Sequence, residues 1–490
     1  MRARHLASCY EAFRTRDESL HPSLESPLAP DHATRHATLR NGAAFAHYVP
    51  VKSTRTIASL GLALASFASE LARAQDMTGF PAVDSAAVAR AAFGRAAKAM
   101  NAHDVAGARR EMAHAAESWP IQPSYVWAQA VLSAQAGDTA AALRALQAYA
   151  SLGIGRDLRS EAAFSPFISL PLFAGTVAKH DALRAPIARS REVARISDST
   201  FWPEGVDYDP RTRRYYVASI RHRTIAEISP DGSTRELWLR DSGVVAAMFG
   251  VRVDAVRGTL WATTSAAAQM VNYGPADSTI AALLRIRISD GTIERRWNIP
   301  RTPQGHTLGD LAIGPSGDVF VTDSNEPVLY WLRSGADTLE SIRSPLFRSL
   351  QGIAPSPDGR LLYVADYSHG ILRVNLATKS VIRVADAPGS TSLGCDGLAW
   401  DRGAIVAVQN GIAPARIVRF ALNSAGDRIT EAKVLDQNWE IADEPTIGTI
   451  VGKTFVYVAN SQYEKYDPAM RRIPSRPLTR PRLLAVPLSR

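Results

Sequence analysis

One pattern recurs six times in the C-terminal part of this 490-residue chain and restricts its fold more than any other feature. A short apolar strand opens beside a small residue, a turn follows, and a second strand ends in a polar residue. The openings are Glu204-Gly205-Val206, Phe249-Gly250-Val251, Gly309-Asp310-Leu311, Gln351-Gly352-Ile353, Asp396-Gly397-Leu398 and Pro445-Thr446-Ile447. The matching second strands include Tyr216-Val217-Ala218-Ser219, Val319-Phe320-Val321-Thr322-Asp323 and Leu362-Tyr363-Val364-Ala365-Asp366. Openings fall 45, 60, 42, 45 and 49 residues apart, with the long interval carrying an insertion at 265–281. Four short strands joined by tight turns need about forty to fifty residues, the length of one propeller blade. Six such units predict a six-bladed β-propeller over 191–490, mainly β in class. A ring must close, because an open one leaves unpaired strand edges. The last strand, 483–488, nearly ends the chain, so the missing outermost strand is expected from 192–196.

Ahead of the propeller the period changes from 2 to 3.6. From Ser85 to about Gly153 apolar residues fall three and four apart, the amphipathic-helix spacing. Asp104, Ala108 and Met112 recur 34 residues later as Asp138, Ala142 and Leu146, and Ala96 recurs as Ala130. Small residues at a 34-residue period resemble the tetratricopeptide repeat, with Ala115 and Pro120 at that family's Ala and terminal Pro positions. The bulky residue early in its first helix is absent. An all-α helical-repeat domain is therefore expected over 85–185, with segments 161–167 and 171–183 as its cap. It offers either a groove for a protein partner or a cover packed on the propeller.

Composition bears on compartment and partners. The net charge is +9, yet arginines are scattered singly among Asp and Glu, without the concentrated patch that nucleic-acid binding requires. The first fifty residues hold five of eleven histidines and no sustained apolar period, and read as a disordered or mis-assigned extension. Val51-Lys52-Ser53-Thr54-Arg55, an apolar run to Ala68 and Ala72-Arg73-Ala74 form a signal peptide over 51–74. The run is too short to remain as a membrane span, so the mature protein is expected to be periplasmic or secreted. Two cysteines, Cys9 and Cys395, make neither a disulfide framework nor a zinc cluster.

In a propeller the residues that open the innermost strands converge on the central channel. Here they are Glu204, Phe249, Gly309, Gln351, Asp396 and Pro445, with Asp310 and Glu444 beside them. Convergent carboxylates repel unless a cation or a proton lies among them, and a hard cation such as Ca²⁺ suits oxygen ligands. Equally, Glu204 and Asp396 can simply bond backbone amides of neighbouring blades. Arg221 and His222 follow the second strand of blade one, where they can bind an anionic or oxyanionic group with Glu444. The Pro- and Arg-rich segment 462–481 is placed to fold over the mouth as a lid.

Trp202-Pro203-Glu204-Gly205, Ser356-Pro357-Asp358-Gly359-Arg360 and Asp396-Gly397-Leu398 resemble the senescence-marker-protein/gluconolactonase family across all six blades. That resemblance implies one divalent metal at the channel mouth that polarises a lactone carbonyl and activates water. It places metal ligands at Glu204, Asp396 and Gln351, the last one methylene longer than the family's Asn. The family's substrate-contacting Asn falls on Gly309. It also leaves Asp396 or Asp310 to assist the water. The chain has no GxSxG elbow, HExxH pair, P-loop or EF-hand loop. Two functions follow as expectations: a metal-dependent lactone or ester hydrolase with a small-molecule substrate, or a non-catalytic propeller that binds a ligand or a protein.

Overall fold

The computed structural model describes residues 85–237, 239, 245–467 and 470–488. The signal peptide expected over 51–74 and the extension before it lie outside these residues. Turn chemistry and period-two patterning produce six four-stranded antiparallel sheets. Blades one to five run in chain order as 203–237, 247–298, 308–342, 350–383 and 398–437. Blade six combines β22 (Gly448–Val451), β23 (Thr454–Val458) and β24 (Arg482–Pro487) with β1 (Arg191–Arg195). β1 pairs antiparallel with β24, Arg191 opposite Ala485 and Arg195 opposite Arg482. The ring is thus closed by the two ends of the propeller sequence, as its final strand required. Outer strands are partly exposed, whereas β7 (Thr259–Ser265) is buried throughout and its counterparts are buried except at the first one or two residues of three of them. Apolar residues of adjacent blades share their cores, as Ala218, Val251 and Leu260 do between blades one and two.

Innermost strands approach one another most closely, and glycine opens the way. A Cβ on Gly397 would lie 2.8 Å from Ile447 Cα of the next blade. Between blades three and four, Thr322 Oγ1 donates to the carbonyl of Gln351 at 2.6 Å. Thr446 Oγ1 does the same for the Glu204 carbonyl at 2.8 Å, joining blade six to blade one.

The helical part comprises α1 (Ser85–Asn101), α2 (Val105–Ser118), α3 (Pro123–Gln135), α4 (Thr139–Ser151) and α5 (Pro171–Leu183). The 34-residue period is physical. Asp104 Oδ1 accepts from Gly107 N at 2.7 Å to cap α2, and Asp138 Oδ1 accepts from Ala141 N at 3.0 Å to cap α4. Ala96 and Ala130, Ala108 and Ala142, and Met112 and Leu146 are all fully buried, so both hairpins use the same small contact positions. Segment 161–167 forms a short 3₁₀ turn rather than a helix, because Pro166 and Ser165 interrupt the pattern.

These helices cover the propeller. Thr391 Oγ1 reaches the Ile121 carbonyl, Arg416 donates to the Gly153 carbonyl at 2.9 Å, and Ile412 joins the core of α1–α3. The linker is held as well: Gln437 Nε2 donates to the carbonyls of Leu183 and Ala185. Each of these propeller residues lies in blade five or in the link that enters it from blade four. In a four-stranded antiparallel blade, the start of strand one, the second turn and the exit of strand four lie at one end. The helices therefore dock on the face where Glu204 and Asp396 open their strands. Of the two roles open to the repeats, the structure shows the cover. No described helix is long and apolar enough to cross a membrane.

Candidate functional site at the channel mouth

In blades one to four the ladder between the first two strands slips at the opening residues, between Pro203 and Val206, Met248 and Val251, Leu308 and Leu311, and Leu350 and Ile353. Such bulges redirect side chains. Here they turn the openings toward the channel at the same level in successive blades.

Glu204 is buried, and its Oε2 has no hydrogen-bond partner. Burial and the carboxylates of Asp396 and Glu444 push its carboxyl well above the usual range, against a lowering hydrogen bond from Tyr463. Burial, again opposing a hydrogen bond, pushes Asp396 up to about 7. That bond comes from Asn410, whose Nδ2 donates to Asp396 Oδ2 at 2.6 Å. No ion pair among the described residues involves Glu204 or Asp396. Glu444 Oε1 accepts from Glu464 N at 2.9 Å. The carboxyl groups of Glu204, Asp396 and Glu444 interact electrostatically, though their oxygens do not all lie within 4.8 Å of one another.

Gln351 extends along the same mouth. Its Nε2 donates to Ser349 Oγ at 3.2 Å. A Cβ on Gly309 would lie 3.8 Å from its Oε1, so the missing side chain in blade three leaves room for the longer amide arm. Phe249 is buried under the roof, among Trp202, Met270 and Tyr466.

Asp310 occupies the second opening position, where four other blades carry glycine. Its carboxyl accepts from Arg252 at 3.1 Å, from its neighbour Leu311 N at 2.8 Å and from Ile353 N at 3.3 Å. It is thereby fastened between blades two and four rather than presented to a substrate. Arg252 also lines a cavity of about 260 Å³, together with Asp207, Trp400 and Thr449 among apolar residues.

Two segments roof the mouth. The 462–481 loop lays Tyr466 on Trp202 with ring centroids 4.6 Å apart, and sets Tyr463 edge-on to Trp202 at 4.9 Å. The blade-two insertion binds Arg221, which donates to Gln269 O at 3.3 Å and lies over the Tyr466 ring. His222 turns the other way. It bonds Glu236, on the outermost strand β5 (Thr234–Leu237), at 3.1 Å and Thr200 at 3.0 Å. With Asp198 and Glu236 it forms a trio whose ligand atoms lie within 4.8 Å on the outer edge of blade one. The expected pairing of Arg221 with His222 in one pocket is therefore absent, because adjacent residues after a strand point to opposite sides.

Sequence reasoning missed Asn410 and Tyr463. Asn410 follows the polar end of a second strand, the one local signal available. Tyr463 lies in the segment expected as a lid, but nothing local singles it out as the partner of Glu204.

The site and fold define a six-bladed propeller with a roofed, acidic channel mouth. No protein family and no curated protein matches the sequence. Among solved structures, the chain is similar to virginiamycin B lyase from Staphylococcus aureus, at 17% identity over 55% of this chain and 80% of that one, with a TM-score of 0.39. It is similar to a gluconolactonase from Xanthomonas campestris at 16% identity, over 63% and 92%, with a TM-score of 0.41. A luciferin-regenerating enzyme matches at 14%, over 61% and 95%, also at 0.41. The similar structures thus include gluconolactonase-like propellers, and likeness at this level concerns fold alone.

Proposed function

We propose that this chain is a divalent-cation-dependent hydrolase of a lactone or ester, acting at the roofed mouth. One observation carries the reading: Glu204 and Asp396 are buried acids to which no cationic side chain among the described residues is paired. A buried carboxylate without a counter-charge is strongly disfavoured. Glu204, Asp396 and the Gln351 amide oxygen suit a hard cation such as Ca²⁺. When bound, the ion would supply Lewis-acid polarisation of the substrate carbonyl. In the cation-free protein burial holds Asp396 up to about 7, so near neutrality it can exchange its proton for the ion. Tyr463 donates to Glu204, and the roof limits water. Asp310, fastened by Arg252, is left to support the channel, and Arg221 is the basic residue beneath the roof that can orient a polar substrate group.

The alternative is a ligand- or protein-binding propeller without turnover, favoured by the helices that cover the mouth face. In either reading the two hairpins serve as tetratricopeptide-like units. Export to the periplasm or beyond rests on the 51–74 segment and is tested by sequencing the mature N-terminus.

Calcium titration calorimetry with a lactone and ester panel, on the wild type and Glu204→Gln, separates the readings. Binding and chelator-sensitive hydrolysis, both lost in Glu204→Gln, support the enzyme. Binding without turnover supports the ligand-binding propeller, and absence of both sinks the cation-dependent reading.

A further inference from the structure

We infer that Asn410, oriented by Tyr367, is the positioning residue that commits one oxygen of Asp396 and presents the other to the cation; this rests on the reading just given. The orientation of the Asn410 amide follows from its neighbours. One end of the amide faces both Asp396 Oδ2, at 2.6 Å, and the carbonyl oxygen of Pro445, at 2.9 Å. A backbone carbonyl only accepts, so that end is the nitrogen whatever the protonation of Asp396. Oδ1 then faces Tyr367, whose hydroxyl donates to it at 2.6 Å. The order Tyr367, Asn410, Asp396 is thus a directed chain spanning blades four and five.

The backbone of Asp396 is fixed as well. Its N–H donates to Val408 O at 2.7 Å, and its carbonyl accepts from Gly352 N at 3.0 Å. Side-chain rotation is the remaining freedom, and the Asn410 bond removes it. Asp396 can then offer a cation Oδ1 alone, as a single-oxygen ligand.

Two glycines make the arrangement possible. The loop entering Asp396 touches the loop leaving Asn410 through Gly394 and Gly411, joined by a 3.0 Å bond from Gly411 N to Gly394 O. A Cβ on Gly411 would lie 2.6 Å from Gly394 Cα and 2.7 Å from the Tyr367 ring. Any side chain there would part the loops or displace the tyrosine. Partners behind a metal ligand commonly alter affinity roughly 10- to 100-fold.

Ca²⁺ binding is read by calorimetry, and Tb³⁺ luminescence provides a second probe independent of turnover. Asn410→Ala is expected to weaken both roughly 10- to 100-fold. Tyr367→Phe, which removes one oxygen atom and keeps the ring on Gly411, is expected to weaken them less. The double variant should bind no more weakly than Asn410→Ala, because both changes break one chain. Wild-type-like binding by Tyr367→Phe, or independent and additive losses, would overturn the inference while leaving the cation reading intact. A wild type that binds neither ion would overturn both. Tyr367→Phe keeps the test decisive should Asn410→Ala fail to fold.

Discussion

The buried Arg416 guanidinium donates at once to Gln409 Oε1, at 2.6 Å, and to the Gly153 carbonyl, at 2.9 Å. Gln409 in turn donates to the carbonyls of Thr391 and Leu393, in the loop that leads into Asp396. The helices and the candidate site are therefore braced through one side chain. Burial pushes the guanidinium down to about 10, still charged at neutral pH. Arg416→Leu should cost about 2–3 kcal/mol for the lost charge-assisted bonds. Hydrogen exchange should rise first in 121–123 and 389–395. Unchanged protection there would show that apolar packing through Ile412 alone holds the helices.

Titration of the mouth has a definite sign. Asp396 is held up to about 7, above the ordinary carboxylate value of about 3.9, and Glu204 is raised as well. The folded, cation-free protein then binds more protons than the unfolded chain between those values. The stability contributed by these groups is complete below the ordinary value and is lost as pH rises through about 7. Ca²⁺ competes with the same protons, so its affinity should rise over that interval. Melting temperature with and without Ca²⁺, from about pH 5.5 to 8.5, should show a widening gap. A gap independent of pH would place the ion elsewhere, with the Asp198, His222 and Glu236 trio the next site to substitute.

The sequence-to-structure relation differs sharply between blades and mouth. Blade count, the insertion and the closing strand were legible because each is a local pattern: turn residues, alternation and a chain end lacking a partner strand. Glu204, Gln351 and Asp396 were legible as strand openings. The outward turn of His222 was not, because it is decided by Glu236 on another strand. Nor was the docking face of the helices, where Gly153 meets Arg416 across 263 positions with no periodicity to announce it. Asp310 was legible as a mouth acid, but not as the partner of Arg252.

That pairing yields a stability prediction. Asp310→Ala would leave the Arg252 charge mostly buried without its carboxylate, at a cost of about 3–5 kcal/mol. Asp310→Asn keeps an acceptor and should cost less. Denaturant unfolding of both variants reads this directly. If Asp310 instead served as the base, Asn would abolish turnover of an otherwise fully stable protein.

Tyr463 tests whether the roof reports on the mouth. Its hydroxyl donates to Glu204 while its ring packs edge-on against Trp202, so Tyr463→Phe separates the two contacts. The ring contact survives in Phe, and the melting temperature should barely move. Loss of a hydrogen bond to a charged group, about 1.5–3 kcal/mol, should make the ionised Glu204 less accessible and weaken Ca²⁺ binding at least tenfold. Trp202→Ala should do the reverse of this division. It removes the surface on which both tyrosines rest, so exchange across 463–467 should accelerate, and Ca²⁺ affinity should fall only as far as Tyr463 is displaced. Equal calcium affinity in the wild type and Tyr463→Phe would mean that the loop merely covers the mouth and that Glu204 binds the ion without its help.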